Sequence, residues 1–168
     1  MNIGAISKDI FNLAHKVYKE LGGGFNETVL QKAFAIELRE AKIKYLQEVN
    51  IEIFYKGHSI GTDRPDFLLL TPAKSNWALS DPLILETKWS NKLSNDNRMQ
   101  LKSYLKSLPR NKNSTLHKTS TGILLKFLKT EEFVPGKQSI PEIELEFWEY
   151  NKRRDSMKLK YVLPLKDE

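Results

Sequence analysis

The chain has 168 residues, 40% of them hydrophobic, with no cysteine and a formal net charge of +6. That length suits one domain spanning 1–168 with a core of its own and is short for two; the absence of thiols excludes a disulfide framework, a thiolate metal site and a cysteine nucleophile, and fits a reducing, cytoplasmic setting. No run approaches 18 apolar residues and the first twenty residues carry scattered charges, so neither a membrane span nor a signal peptide is expected.

In residues 3–21, Ile3, Ile6, Ile10, Leu13, Val17 and Leu21 recur at spacings of three and four, which predicts an amphipathic helix capped by Asn2 and stopped by the three glycines at 22–24. Asn26 can cap a second helix to about Ala41, with Leu30, Phe34 and Leu38 as its apolar stripe. The stretches 45–57 and 58–70 read as two strands joined at Lys56-Gly57 in a hairpin, the second made irregular by Pro65. A loop over 71–82 leads to an apolar strand, 83–89. Ser94 or Asn95 can cap a third helix, ended by Pro109, with Leu101, Tyr104, Leu105 and Leu108 buried and Arg98, Lys102 and Lys106 as a basic stripe. Strands follow at 121–128 and 143–150, and the basic tail supports one more near 157–163. The order is helix, helix, three strands, helix, strand, then C-terminal strand additions from about residue 130. It predicts an α/β fold with a mixed sheet flanked by helices.

Charge is unevenly placed. From Lys88 to Lys129 there are ten basic residues and one acid, about +9, against about −3 for the rest. Such a zone suits a polyanion such as nucleic acid.

The run LILETKWSN, 83–91, sets an acid and a base, Glu86 and Lys88, inside an apolar strand. Residues two apart on a strand share a face, roughly 6–7 Å from each other. Buried charges need partners, and Asp66, directly ahead of another apolar run, is a second anomaly. If the two strands are neighbours, Asp66 and Glu86 meet at one sheet end, where their repulsion calls for a cation. All-oxygen ligation suits Mg²⁺ or Mn²⁺, which polarises a phosphoryl oxygen and activates water, with Lys88 beside it. The simpler reading of the same residues is an ion pair at a strand end. Parity places Asp63 on the face opposite Asp66, and Arg64 on the same face, where it contacts a phosphate or pairs with the acid. Trp77 either stacks on a base or covers the edge of the core.

Pro65-Asp66, then 19 residues, then Glu86-Thr87-Lys88 resembles the PD-(D/E)xK motif of the restriction-endonuclease-like nuclease superfamily. More narrowly, the stretches GGGFNETVLQKAFAIELRE, VNIEIFYKGHSIG, DRPDFLL, LILETKWSNKL and QLKSYLKSL, in that order over about residues 5–128, resemble the GxxExxY family within it. The resemblance implies a restriction-endonuclease-like core. It also implies Asp66 and Glu86 as ligands of Mg²⁺ or Mn²⁺, the Thr87 carbonyl as a third, and Lys88 as base or charge stabiliser. Glu27 matches the Glu of the family name and Gln100 the Gln of its Gln-x-x-x-Tyr, which implies both as residues of the catalytic site, while Tyr104, the Tyr of that motif, falls in the apolar stripe and is expected in the core. Leu30 stands where the name has Tyr. The expected activity is hydrolysis of DNA, rather than RNA, by metal-activated water, with Arg64, Lys92, Arg98, Lys102 and Lys106 against the nucleic acid. The alternatives are a non-cutting nucleic-acid-binding module on this fold, or a nuclease subunit that needs a partner protein; the protein partners expected beside nucleic acid are a second copy of the chain, as a homodimer, or another protein.

Overall fold

The computed structural model describes residues 1–71, 74–129 and 140–165. Helix α1 (Ile3–Leu21) begins where the Asn2 side chain accepts the Ala5 N–H and ends at Gly22, whose φ of 69° a side chain would strain. Helix α2 (Glu27–Glu40) is capped in the same way by Asn26. Ile6, Ile10, Leu13 and Val17 of α1 pack with Leu30, Phe34 and Leu38 of α2 into one core cluster against the sheet. Leu30, at the position of the family tyrosine, is one of these buried contacts.

The next segment differs from the two long strands expected. It forms four: β1 (Tyr45–Gln47), β2 (Ile51–Tyr55), β3 (His58–Asp63) and β4 (Phe67–Leu69). Strands β2 and β3 make the expected hairpin at Lys56-Gly57, but they stand apart as a two-stranded sheet. The outer strands, β1 and β4, pair with each other in the main sheet. The break has two causes. Glu48 adopts φ 51°, and Pro65 offers no N–H to a ladder and restricts Arg64 before it. A hydrogen bond of 3.2 Å from the Glu48 N–H to the Asp66 carbonyl closes the neck of the loop-out.

After the loop, with its 3-10 turn at Ser75–Trp77, come β5 (Leu83–Ser90), α3 (Asn95–Ser107), β6 (Thr121–Leu128), β7 (Ile143–Asn151) and β8 (Ser156–Leu163). The main sheet has the order β1-β4-β5-β6-β7-β8, with β5 and β6 parallel and the other neighbours antiparallel. This is the mixed α/β architecture of a restriction-endonuclease-like core. The residues that α1 and α2 bury lie on one sheet face; Leu101, Tyr104, Leu105 and Leu108 cover the other with Ile84, Leu68 and Leu124. Trp77 is fully buried in the α1/α2 cluster, its Nε1 donating to Asp9 at 2.7 Å, so its ring covers the core. Pro72 and Ala73 of that loop, and residues 130–139 of the expected C-terminal extension, lie outside the described residues.

Helix α3 approaches β6 at Gly122, where an added Cβ would lie 2.5 Å from Leu101 Cδ1. Leu101 is itself fully buried and has nowhere to retreat. Gly122→Val should therefore lower stability by about 1–3 kcal/mol through overpacking. A urea midpoint equal to that of the wild type would contradict this contact.

Candidate active site

Alternation along β5 sends Leu83, Leu85 and Trp89 into the α1/α2 core and Ile84 into the α3 core. Glu86 and Lys88 share the Ile84 face, and the Lys88 ammonium lies 2.8 Å from Glu86 Oε1. Strand β4 runs antiparallel to β5 with Phe67 opposite Leu85, which brings Asp66 beside Glu86. The Asp66 N–H donates to Glu86 Oε2 at 3.1 Å. The Thr87 N–H and hydroxyl both donate to Asp66 Oδ2, each at 2.7 Å. Behind Thr87, the Gln31 amide of α2 donates to the same hydroxyl at 3.0 Å.

Two further elements complete the arrangement. Glu27, the first residue of α2, accepts the Trp89 N–H at 3.0 Å and acts electrostatically on Lys88. From α3, Gln100 Nε2 donates to the Tyr104 hydroxyl at 2.8 Å, and that hydroxyl reaches the Arg64 carbonyl at 3.4 Å. A cleft of about 580 Å³ is lined by Glu27, Asp66, Glu86, Lys88, Gln100 and Tyr104, with Asn50, Thr62, Asp63 and Arg64 from the base of the hairpin.

Burial pushes the Glu86 carboxyl up to about 7, and the Asp66 charge adds to the effect; Lys88 and the hydrogen bonds from Lys88 and the Asp66 N–H oppose it without prevailing. Burial works against the Lys88 ammonium, but Glu86, Glu27 and Asp66 outweigh it, and the net shift is upward. Tyr104 is held well above the usual phenol range by burial and by the charges of Glu86, Asp63 and Asp66. At neutral pH Lys88 is thus a cation, Tyr104 a neutral donor, and Glu86 poised between its two forms.

Asp63 corrects a sequence expectation. Parity set it on the face opposite Asp66, yet both line the cleft. Parity holds only along an unbroken strand, and here the chain leaves one sheet and enters another between residues 63 and 67; Pro65 was the available signal. Asn50 and Thr62 carried no signal of their own, because the folding back of the hairpin brings them in. Arg64 lines the cleft but its guanidinium lies 3.8 Å from Glu48, not on Asp66.

The remaining basic positions lie outside the cleft lining. Arg98 makes a two-pronged contact with Glu146 on β7, at 2.9 and 2.6 Å. Lys102 and Lys106 both hold Asp155, at 3.4 and 2.9 Å. Lys92 is exposed in the turn after β5. The α3 stripe, free in the sequence reading, is therefore largely balanced by acids from β7 and the turn that follows it.

With this geometry in view, a family model for the PD-(D/E)XK nuclease superfamily matches residues 4–134. The chain belongs to that superfamily. The match runs from α1 through β6. PD-(D/E)XK nucleases generally use divalent metal ions such as Mg²⁺. No curated protein and no solved structure matches the chain. Among the described residues no helix is long and apolar enough to cross a membrane.

Proposed function

We propose that this protein is a divalent-metal-dependent nuclease that hydrolyses phosphodiester bonds of DNA, with Asp66 and Glu86 holding Mg²⁺ or Mn²⁺ and the Thr87 carbonyl as a third oxygen. The observation that carries the reading is the meeting of two carboxylates and one ammonium at a single point of the sheet. The donor set fits a hard cation. Asp66 and Glu86 offer carboxylate oxygens to one cleft, and hard oxygen donors suit Mg²⁺ or Mn²⁺. Asp66 Oδ1 has no hydrogen-bond partner among the described residues, and Glu86 is pushed towards its neutral form partly by the Asp66 charge, a repulsion that a dication would remove. When bound, such an ion polarises a phosphoryl oxygen and lowers the pKa of water.

The chain's own groups do the rest. Lys88, protonated at rest, neutralises charge that develops on the phosphoryl oxygens, and its upward shift favours this role over that of a free base. Thr87 fixes the Asp66 carboxylate, and Gln31 fixes Thr87. Glu27 holds the strand beyond Lys88 and keeps the ammonium charged. Gln100 orients the Tyr104 hydroxyl at the wall of the cleft.

The decisive experiment incubates supercoiled plasmid, single-stranded DNA and an RNA of matching sequence with Mg²⁺, Mn²⁺ or EDTA. Cleavage of DNA with either ion and none with EDTA is expected; inert protein under all metal conditions, or undiminished cleavage by Glu86→Ala, overturns the reading. Metal affinity should also follow the Glu86 proton. Because this carboxyl titrates at about 7 in the metal-free protein, an ion must displace a proton below that pH. Affinity should then fall by about tenfold per pH unit on going down from 7, and little above it. Calorimetric titration with Mn²⁺ at several pH values checks this, and a flat profile between pH 5.5 and 7 would remove Glu86 from the ligand set.

A further inference from the structure

The β7–β8 connection carries Lys152, Arg153 and Arg154 in sequence, all exposed, with Lys158 nearby on β8. The turn is firmly built. Asn151 Oδ1 accepts the Arg154 N–H at 3.1 Å, and Asp155 closes it with φ 45°. Its one acid is already engaged: Asp155, on the surface, is held by Lys102 and Lys106 of α3 and by the Tyr150 hydroxyl at 3.0 Å. Among the described residues no acid pairs with Lys152, Arg153, Arg154 or Lys158. The two elements thus exchange charge: α3 commits its cations to Asp155 and Glu146, and the turn keeps three that α3 has relieved of their neighbouring acid.

From these observations we infer that the Lys152–Arg154 turn is a phosphate-docking site for the nucleic-acid backbone, set across α3 from the catalytic cleft; this rests on the nuclease reading and extends it. Helix α3 has the cleft residues Gln100 and Tyr104 on one flank and Lys102 and Lys106, reaching for the turn, on the other. The two regions therefore lie on opposite flanks of one helix, whose own width of about 10–12 Å already spans about three base pairs at 3.4 Å each. The exposed ridge between them carries Met99 and Ser103, and its acid, Asp96, lies at the far end in the first turn. The acid next to the turn, Asp155, is neutralised by Lys102 and Lys106, so a backbone that crosses the ridge meets a balanced charge there. The turn lies beyond residue 134, the last residue of the superfamily match. Arg and Lys at a fixed turn contact phosphates without reading bases, so the site supplies affinity and register, not sequence choice.

The test measures binding of the full chain to a labelled duplex by fluorescence anisotropy in EDTA, which prevents cutting, over a series of salt concentrations. Lys152→Ala/Arg153→Ala/Arg154→Ala should flatten the plot of log affinity against log salt by about 2.7, or 0.9 for each phosphate no longer neutralised, and by the same amount on two unrelated duplexes. The comparison variant, Lys8→Ala/Lys19→Ala/Lys32→Ala, removes the same charge from the α1/α2 layer and should change the slope by less than about 1. Equal slopes for the turn variant and the wild type, or equal losses in the two variants, overturn the inference. Thermal melting establishes that the turn variant is folded, and Arg153→Gln/Arg154→Gln, which removes two of the three charges, should flatten the slope by about 1.8. A wild type that binds and cuts DNA while the turn variant is indistinguishable from it sinks the docking site alone; a wild type that neither binds nor cuts sinks the nuclease reading with it.

Discussion

Replacing Asp66 with Asn is expected to lower the rate of DNA hydrolysis by about 10³-fold or more while leaving the melting temperature nearly unchanged. A bound dication is worth several kcal/mol of transition-state charge stabilisation, and each 1.36 kcal/mol is tenfold in rate. The amide can still accept from the Thr87 N–H and hydroxyl, so the local hydrogen bonds survive and the charge alone is removed. A separate signature follows from the neighbour. Since the Asp66 charge helps to raise Glu86, its loss should bring the Glu86 titration down towards the usual carboxylate range, which NMR can follow. Lys88→Met should cost about 10²–10³ in rate through lost charge stabilisation. The two effects should not multiply in the double variant, because both groups serve one site. Activity of Asp66→Asn within tenfold of the wild type would refute the assignment of that residue.

Trp77→Ala should cost about 3–5 kcal/mol of stability, the range for removing a large aromatic side chain from a packed core. The ring is fully buried, and its Nε1 donates to Asp9 on α1. The Trp77 carbonyl also accepts the Asn2 N–H at 2.7 Å, so the 3-10 turn secures the start of the first helix as well as filling space beneath it. Urea unfolding measures the loss. If the ring served to stack on bases, the variant would keep its stability and lose affinity for single-stranded DNA, and that pair of results would contradict the packing described.

Much of this molecule can be read from the order of its residues. The caps at Asn2, Asn26 and Ser94 are where the spacing puts them, and the strands at 83–90, 121–128 and 143–151 match their apolar runs to within a residue or two. These are local signals: a side chain oxygen three residues ahead of a helical N–H, or a branched apolar run bounded by turns. Asp66, Glu86 and Lys88 were legible for the same reason, since a charge in an apolar strand is conspicuous wherever the strand goes. What failed was long-range. The stretch 45–70 looks continuous in hydropathy but divides between two sheets, because Glu48 and Pro65 bend it out of the ladder. That division carried Asp63, Asn50 and Thr62 to the cleft and defeated the parity argument. The basic stripe of α3 was legible but its pairing was not, for its partners Glu146 and Asp155 lie 48 or more positions along the chain, and no spacing rule reaches them.

Thr87 directs both of its donors at one oxygen of Asp66, and its hydroxyl is in turn held by Gln31. Strand β4 is only three residues long, so these side-chain contacts, more than the ladder, decide where the carboxylate stands. The rotational freedom of Asp66 is thus surrendered when the protein folds, before any ligand arrives. A preorganised carboxylate need not be ordered again at each encounter, and the entropy of fixing it does not weaken binding.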